Sequence, residues 1–311
     1  MVSLEATWID PRGSTTHSPA RRSPRPSRST APRDARPIPR PRRRRAGDHR
    51  RMETTVTDPE SSPDTASELL LHDAEGVLTI TINRPQVMNA VDGAMLARAA
   101  EAVETTDARV VVVTGAGAAF SAGADLRRLE RGGTHENGNR LVRAIVATER
   151  PVVAAVNGPA AGIAMSVALA ADVTVAHESA YFLQAFVNIG LMPDGGATEL
   201  LAASVGRARA ARLSLLGERL PAARAAEMGL IDRCCGDDYA DQVAGLVAKL
   251  AGGPTRAYAA TKQAMNATTL RSLDETLERE LRLQRELADT ADSQEGIQAF
   301  LDKRPARFEG R

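Results

Sequence analysis

Aromatic residues are scarce: five Phe, three Tyr and one Trp make up 3% of the 311-residue chain. A core without rings has to be packed from Ala, Val and Leu, at short distances between elements. Cysteine is nearly absent as well. Cys234 and Cys235 are the only two and are adjacent, which excludes a disulfide framework, because neighbouring residues strain the bond and no third thiol exists. They read as buried thiols near a strand end, in a reducing compartment, the cytoplasm. The histidines (His17, His49, His72, His135, His177) show no metal-ligand spacing with one another or with cysteine, so no metal site is expected. Lysine occurs only at Lys249, Lys262 and Lys303. The first residues lack the apolar stretch of a secretory signal. What is present is ordinary for a soluble globular chain: 43% apolar and 25% charged residues.

Charge is unevenly placed. Residues 1–51 hold 14 Arg against Glu5, Asp10, Asp34 and Asp48, a net of +10 within a chain whose total is +1. The remaining 260 residues therefore carry −9, which argues against a nucleic-acid role for the folded part. Residues 1–65 read as a disordered leader rich in Arg, Pro and Ser: eight of the 17 prolines precede residue 42, and Arg42 to Arg45 form a block. Three readings stand for it. The Arg run binds an acidic surface or nucleic acid, the segment is an organelle transit peptide, or translation starts at Met52 and residues 1–51 are no part of the working protein. The third is favoured, since the prolines oppose the amphipathic helix of a transit peptide.

The longest uncharged stretch, Pro151 to Ala171 (PVVAAVNGPAAGIAMSVALAA), is long enough to raise a membrane reading. Pro151, Asn157, Gly158 and Pro159 break it in two. Val152 to Val156 reads as a buried strand, and the part from about Ala161 as a buried helix of small residues. Strand, Asn-Gly-Pro turn and helix would aim unpaired amides at whatever sits beside the turn, a setting suited to an oxygen gaining negative charge.

Around that centre, Val77–Ile82 alternates like a strand with one polar face. Val87 to Val103 has helical spacing, and Val110 to Val113 is a second buried strand. Arg127 to Asn139 reads as a mobile polar loop, and Leu141 to Ala147 as the start of a helix. Val173 to Ala176 and Ala180 to Phe186 read as extended. Pro193-Asp194-Gly195-Gly196 is a turn before a helix to about Leu216, and Ala222 to Met228 a short helix capped by Gly229. Beyond Pro254 the pattern is helical over Ala257–Ala267, Leu273–Leu287 and Ser293–Leu301. The expected fold class is α/β, with a core over residues 66–253 and a helical C-terminal region over 254–311.

Six stretches, in order, resemble the crotonase superfamily, the enoyl-CoA hydratase/isomerase family: INRPQVMNA (82–90), VVVVTGAGAAFSAGADL (110–126), PVVAAVNGPAAG (151–162), GLMPDGGATELL (190–201), AARAAEMGLID (222–232) and AFLDKRPARF (299–308). The resemblance covers about residues 68–311. It implies a spiral of ββα units with a C-terminal helical oligomerisation region, a homotrimer or dimer of trimers, and an acyl-CoA substrate of which coenzyme A is a part, with no separate cofactor and no membrane partner.

The resemblance also implies an oxyanion hole made by the backbone N–H groups of Ala124 and Ile163, with Gly123 and Gly162 beside them. The second donor is usually a glycine in this family, so the side chain of Ile163 is expected to crowd the acyl chain or shift the helix start. Asp125 and Leu126 flank the first donor, and Asp125 is expected to anchor its loop or cap a helix. The two glutamates of family hydratases align with Ser166 and Phe186, neither of which can act as a general base near neutral pH. Asp194 stands where some family isomerases, dienoyl-CoA and phenylacetate-pathway isomerases among them, carry an aspartate. It reads either as the acid/base of a proton shuttle, sheltered by Phe182, Phe186 and Met192, or as a turn residue capping the next helix. Asn188 occupies a position that bears a second acid in some isomerases. Phe300 and Lys303 match positions that help hold the CoA nucleotide, and Gln86 replaces the family's usual basic residue after NRP. Two functions remain open at this point: isomerase-type chemistry on an acyl-CoA thioester, favoured over two-glutamate hydration, and an acyl-CoA-binding protein that has lost its catalytic glutamates.

Overall fold

The computed structural model describes residues 68–128 and 133–311. The expectations for the leader over residues 1–65 fall outside that range.

The sheet begins with an antiparallel hairpin, β1 (Leu69–Ala74) and β2 (Val77–Ile82), paired from Leu69 with Ile82 to Ala74 with Val77. Glu75 and Gly76 link them, both with positive φ (53° and 75°), the two-residue turn whose twist matches the strands. β1 has no sequence alternation because it is an edge strand, exposed over most of its length. From β2 onward pairing is parallel: β3 (Val110–Gly115), β4 (Val152–Val156), β6 (Val173–His177) and β9 (Arg233–Cys235), in the order β1-β2-β3-β4-β6-β9. The two uninterrupted valine-rich strands are buried on both faces. Val111, Val113, Val152 and Ala154 join the main core, while Val110, Val112, Val153 and Ala155 pack beneath α6 (Tyr239–Ala251). A second sheet of three short strands, β5 (Ala160–Ala161), β7 (Tyr181–Leu183) and β8 (Leu220–Pro221), is ordered β5-β7-β8.

The helices are α1 (Gly93–Thr105), α2 (Thr134–Ala147), α3 (Ile163–Ala170), α4 (Ala197–Leu216), α5 (Ala222–Glu227), α6, α7 (Thr255–Thr269), α8 (Leu273–Ala288) and α9 (Ala291–Leu301). Four differ from expectation. α1 starts six residues after Val87, because Asp92 accepts from the Met95 N–H as N-cap and Met88 and Asn89 are left-handed. α2 begins inside the polar segment that had read as a loop. α4 is broken at Gly206 (φ 76°, ψ 159°). Ala185–Ile189 is a 3₁₀ turn rather than extended chain. α6 is legible only with β3 and β4 in place, since it covers their second face.

The C-terminal helices are fixed by a few polar ties. Lys262 on α7, itself buried, reaches the carbonyls of Ile145 (2.7 Å) and Arg150 (3.1 Å) and the carboxylate of Asp172 (2.7 Å). Burial lowers the Lys262 ammonium's pKa and raises that of Asp172, and their mutual attraction opposes both shifts. Cys234 and Cys235 are free thiols at the end of β9, half-buried and buried, and burial raises both thiol pKa values, so they are unreactive packing residues.

Candidate active site

Two asparagines set the first wall of the site. Asn89 Nδ2 donates to the carbonyls of Ala116 (2.8 Å) and Ala119 (2.7 Å), and Asn157 Nδ2 to those of Gly117 (2.8 Å) and Ala119 (3.2 Å). The loop after β3 is thereby laid along the Asn-Gly-Pro turn. Ser121 pairs with Ala160 and Ala124 with Val91 in single parallel bridges. At the next step the two loops touch: a Cβ added at Gly123 (φ 93°) would lie 2.7 Å from the Ala161 carbonyl oxygen and 3.6 Å from the Gly162 Cα. Gly162 (φ 56°, ψ −132°) then turns the chain into α3, which starts at Ile163. Both positions need glycine.

The bridge to Val91 uses the Gly123 carbonyl and the Asp125 N–H, which leaves the Ala124 N–H pointing away from it. Ile163 is the first residue of α3, where no intrahelical acceptor exists. Among the described residues neither N–H has a protein acceptor. The side chain of Ile163 is buried, with Cδ1 filling the space that a Cβ on Gly195 or Gly138 would need. The α3 helix begins at Ile163 itself.

Asp125 is engaged: its carboxylate lies 2.9 Å from Arg84 and accepts from the Arg127 N–H at 3.1 Å. Arg84, Arg128, Glu68 and Asp92 complete the cluster, which braces the loop carrying Ala124. Leu126 beside it is half-buried.

On the opposite wall Ser166 is buried, and its hydroxyl donates to the Asp194 carbonyl at 2.7 Å. Phe186 is also buried, its ring in van der Waals range of a Cβ added at Gly162. Neither Ser166 nor Phe186 brings a carboxylate to this wall. Asn188 lies outside this cluster, its amide donating to the Gly217 carbonyl at 3.2 Å.

Asp194 is the acid that remains. Its side chain is 5% exposed, and Oδ2 lies 2.7 Å from His135 Nδ1 and 3.3 Å from Gln284 Nε2, while Oδ1 is buried and has no partner among the described residues. The Asp194 carboxylate accepts from none of the amides at the start of α4, while its carbonyl accepts from the Ala197 N–H at 3.3 Å; Glu280 accepts from Gly196 N–H (2.7 Å), Thr198 N–H (2.9 Å) and the Thr198 hydroxyl (2.6 Å). Phe182 and Phe186 are buried, and the Met192 carbonyl accepts from Gln284 at 2.6 Å. The bond to Asp194 raises the pKa of His135 above its ordinary value, against its partial burial. Burial pushes Glu280 up to about 7, opposed by its three donors and reinforced by the charge of Asp194.

His135, Glu280 and Gln284 carry no signal in the sequence. His135 lies 59 residues before Asp194 and Gln284 90 after it, and each sits in an unremarkable polar helical stretch. Phe300 and Lys303 lie elsewhere, at the exposed end of α9, the phenyl group 63% exposed.

A mainly parallel, helix-covered sheet with two glycine loops pressed together defines an α/β protein of layered architecture. Comparison with known proteins makes that specific. The family model described as enoyl-CoA hydratase/isomerase matches residues 72–311. A protein of Rhodobacter capsulatus named "Probable enoyl-CoA hydratase" is 44% identical over 247 residues, 76% of this chain and 96% of that one. "1,2-epoxyphenylacetyl-CoA isomerase" of Escherichia coli is 40% identical over 258 residues, 78% of this chain and 98% of that one. The crystal structure of an enoyl-CoA hydratase from Mycobacterium avium subsp. paratuberculosis superposes with a TM-score of 0.74 at 44% identity, covering 78% of this chain and 98% of that one. The chain belongs to the enoyl-CoA hydratase/isomerase family, in the crotonase superfamily, and is an enzyme of that family acting on acyl-CoA.

Proposed function

We propose that this enzyme moves a double bond within an acyl-CoA thioester rather than adding water across it, with Asp194 as acid and base and the Ala124 and Ile163 N–H groups as the oxyanion hole. The observation that carries the reading is the state of Asp194: a buried carboxylate whose Oδ2 is held by His135 and Gln284 while Oδ1 has no partner among the described residues. A buried acceptor left unpaired costs free energy unless a ligand uses it. Oδ1 takes a proton from a carbon of the acyl chain, the electron pair moves into the thioester, and the negative oxygen is received by the two amides. The same proton is then returned to another carbon of the conjugated system. One such backbone donor is worth roughly 2.7–4 kcal/mol. A single carboxylate suffices for this shuttle, and with Ser166 and Phe186 at the other acid positions no second one is supplied there for activating water. Two matched relatives are named as isomerases, that of Escherichia coli and "Trans-2-decenoyl-[acyl-carrier-protein] isomerase" of Streptococcus mutans, 31% identical.

The reading extends to assembly. Phe300 and Lys303, exposed in one chain, would meet the CoA nucleotide bound by a neighbouring subunit of a trimer or dimer of trimers, with no further cofactor.

Asp194→Asn keeps size and hydrogen bonding but removes the basic lone pair. Isomerisation of a 3-enoyl-CoA should fall about 10²–10⁴-fold, the usual contribution of a positioned acid–base group, with affinity for a saturated acyl-CoA within a few fold of wild type. Full turnover in that variant, or wild-type hydration exceeding isomerisation, would overturn the assignment.

A further inference from the structure

His135 is the feature of the site that neither the motifs nor the proposed chemistry uses. It occupies the first turn of α2, with Nδ1 2.7 Å from Asp194 Oδ2 and its side chain 33% exposed, so the ring spans from a buried carboxylate towards solvent. The charged groups around it come from two helices besides the Asp194 loop. Glu136 follows it on α2, and α8 contributes Arg285 and Glu280. Glu136 and Arg285 pair with each other at 2.6 Å, and Glu280 is held by the α4 amides. Asp194 is therefore the partner left for an imidazolium at this position.

We propose that His135 is a positioning residue: by donating from Nδ1 to Oδ2 it fixes the Asp194 carboxylate so that Oδ1 alone faces the substrate. The proposal rests on Asp194 being the acid/base. Without the imidazole, Oδ2 would keep only the longer bond from Gln284 (3.3 Å). The carboxylate could then rotate, offering either oxygen. The raised pKa of His135 agrees with this arrangement, since the pair favours imidazolium beside carboxylate.

The test compares His135→Ala, His135→Asn and Asp194→Asn with wild type, using a 3-enoyl-CoA for turnover and a saturated acyl-CoA for binding. In His135→Ala, kcat should fall about 10²-fold with KM within a few fold. In His135→Asn the side-chain amide can donate where Nδ1 did, and much of kcat should return, a rescue that a merely structural role would not produce. Should His135→Ala not fold, His135→Phe, which fills the space without a donor, takes its place. A His135→Ala enzyme with wild-type kcat overturns the proposal, as does a His135→Asn enzyme no faster than His135→Ala. Full turnover in Asp194→Asn instead removes the reading on which it rests, so the two failures are distinguishable.

Discussion

Glu280 is a buried carboxyl whose ionisation is coupled to folding. Its carboxyl, ordinarily near 4.5, is pushed up to about 7. Between those values the folded state holds a proton that the unfolded chain has released, so stability is fully present below the unfolded value and is lost as pH rises through the folded one. His135, also raised, has the same sign: its stabilisation is present below its unfolded value and fades as pH rises through its folded one. The protein should therefore lose stability between pH 5 and 8, by about 3 kcal/mol on account of Glu280. Urea denaturation at the two pH values measures the slope. Glu280→Gln should remove most of it and leave a smaller part due to His135; an undiminished slope in that variant would show that Glu280 is not its source.

At the level of elements, the site depends on two loops and a helix start being pressed together without side chains between them. Gly123→Ala would place a methyl group 2.7 Å from the Ala161 carbonyl oxygen at a φ of 93°. The loops must separate and the Ala124 N–H moves with them. A loss of about 10²–10³-fold in kcat is expected, as when one oxyanion donor is removed, with a lower Tm, both measured on the purified variant. A second tie holds the α7 helix to the end of α2 and the start of β6. Lys262→Met removes the ammonium shared by Ile145, Arg150 and Asp172 and leaves the Asp172 carboxylate with the Val152 N–H as its remaining partner. Breaking a buried pair in this way costs about 3–5 kcal/mol, discounted here towards the lower value because Asp172 retains some contact with water. Chemical denaturation of Lys262→Met checks it, and a change under about 1 kcal/mol would mean the pair is solvated.

At the level of the whole molecule, α7 buries only one side chain, Lys262, while Met265 on the same helix and Phe300 and Leu301 on α9 are exposed. Among the described residues these apolar groups are left exposed, which favours association through the C-terminal helices. Sedimentation velocity at micromolar concentration should show a trimer or hexamer, and Met265→Glu should shift it towards smaller species. A stable wild-type monomer would contradict this.

The sequence by itself determined what is local or repeated along the chain. The valine-rich strands, the Asn-Gly-Pro break, the buried helix of small residues and the glycines at 123 and 162 could all be read from runs, breakers and spacing. These features depend on backbone conformation and burial, which neighbouring residues set. Only the tertiary structure decided what surrounds Asp194. The turn sequence allowed a cap or a base equally, and its neighbours came from elements far from it in the chain: Glu280 takes the Gly196 and Thr198 amides and His135 takes Oδ2. It also decided where the Ile163 side chain packs, against Gly138 and Gly195. Side chains meeting across packed helices leave no periodic trace in any one segment, because each is polar among polar neighbours until the fold brings them together.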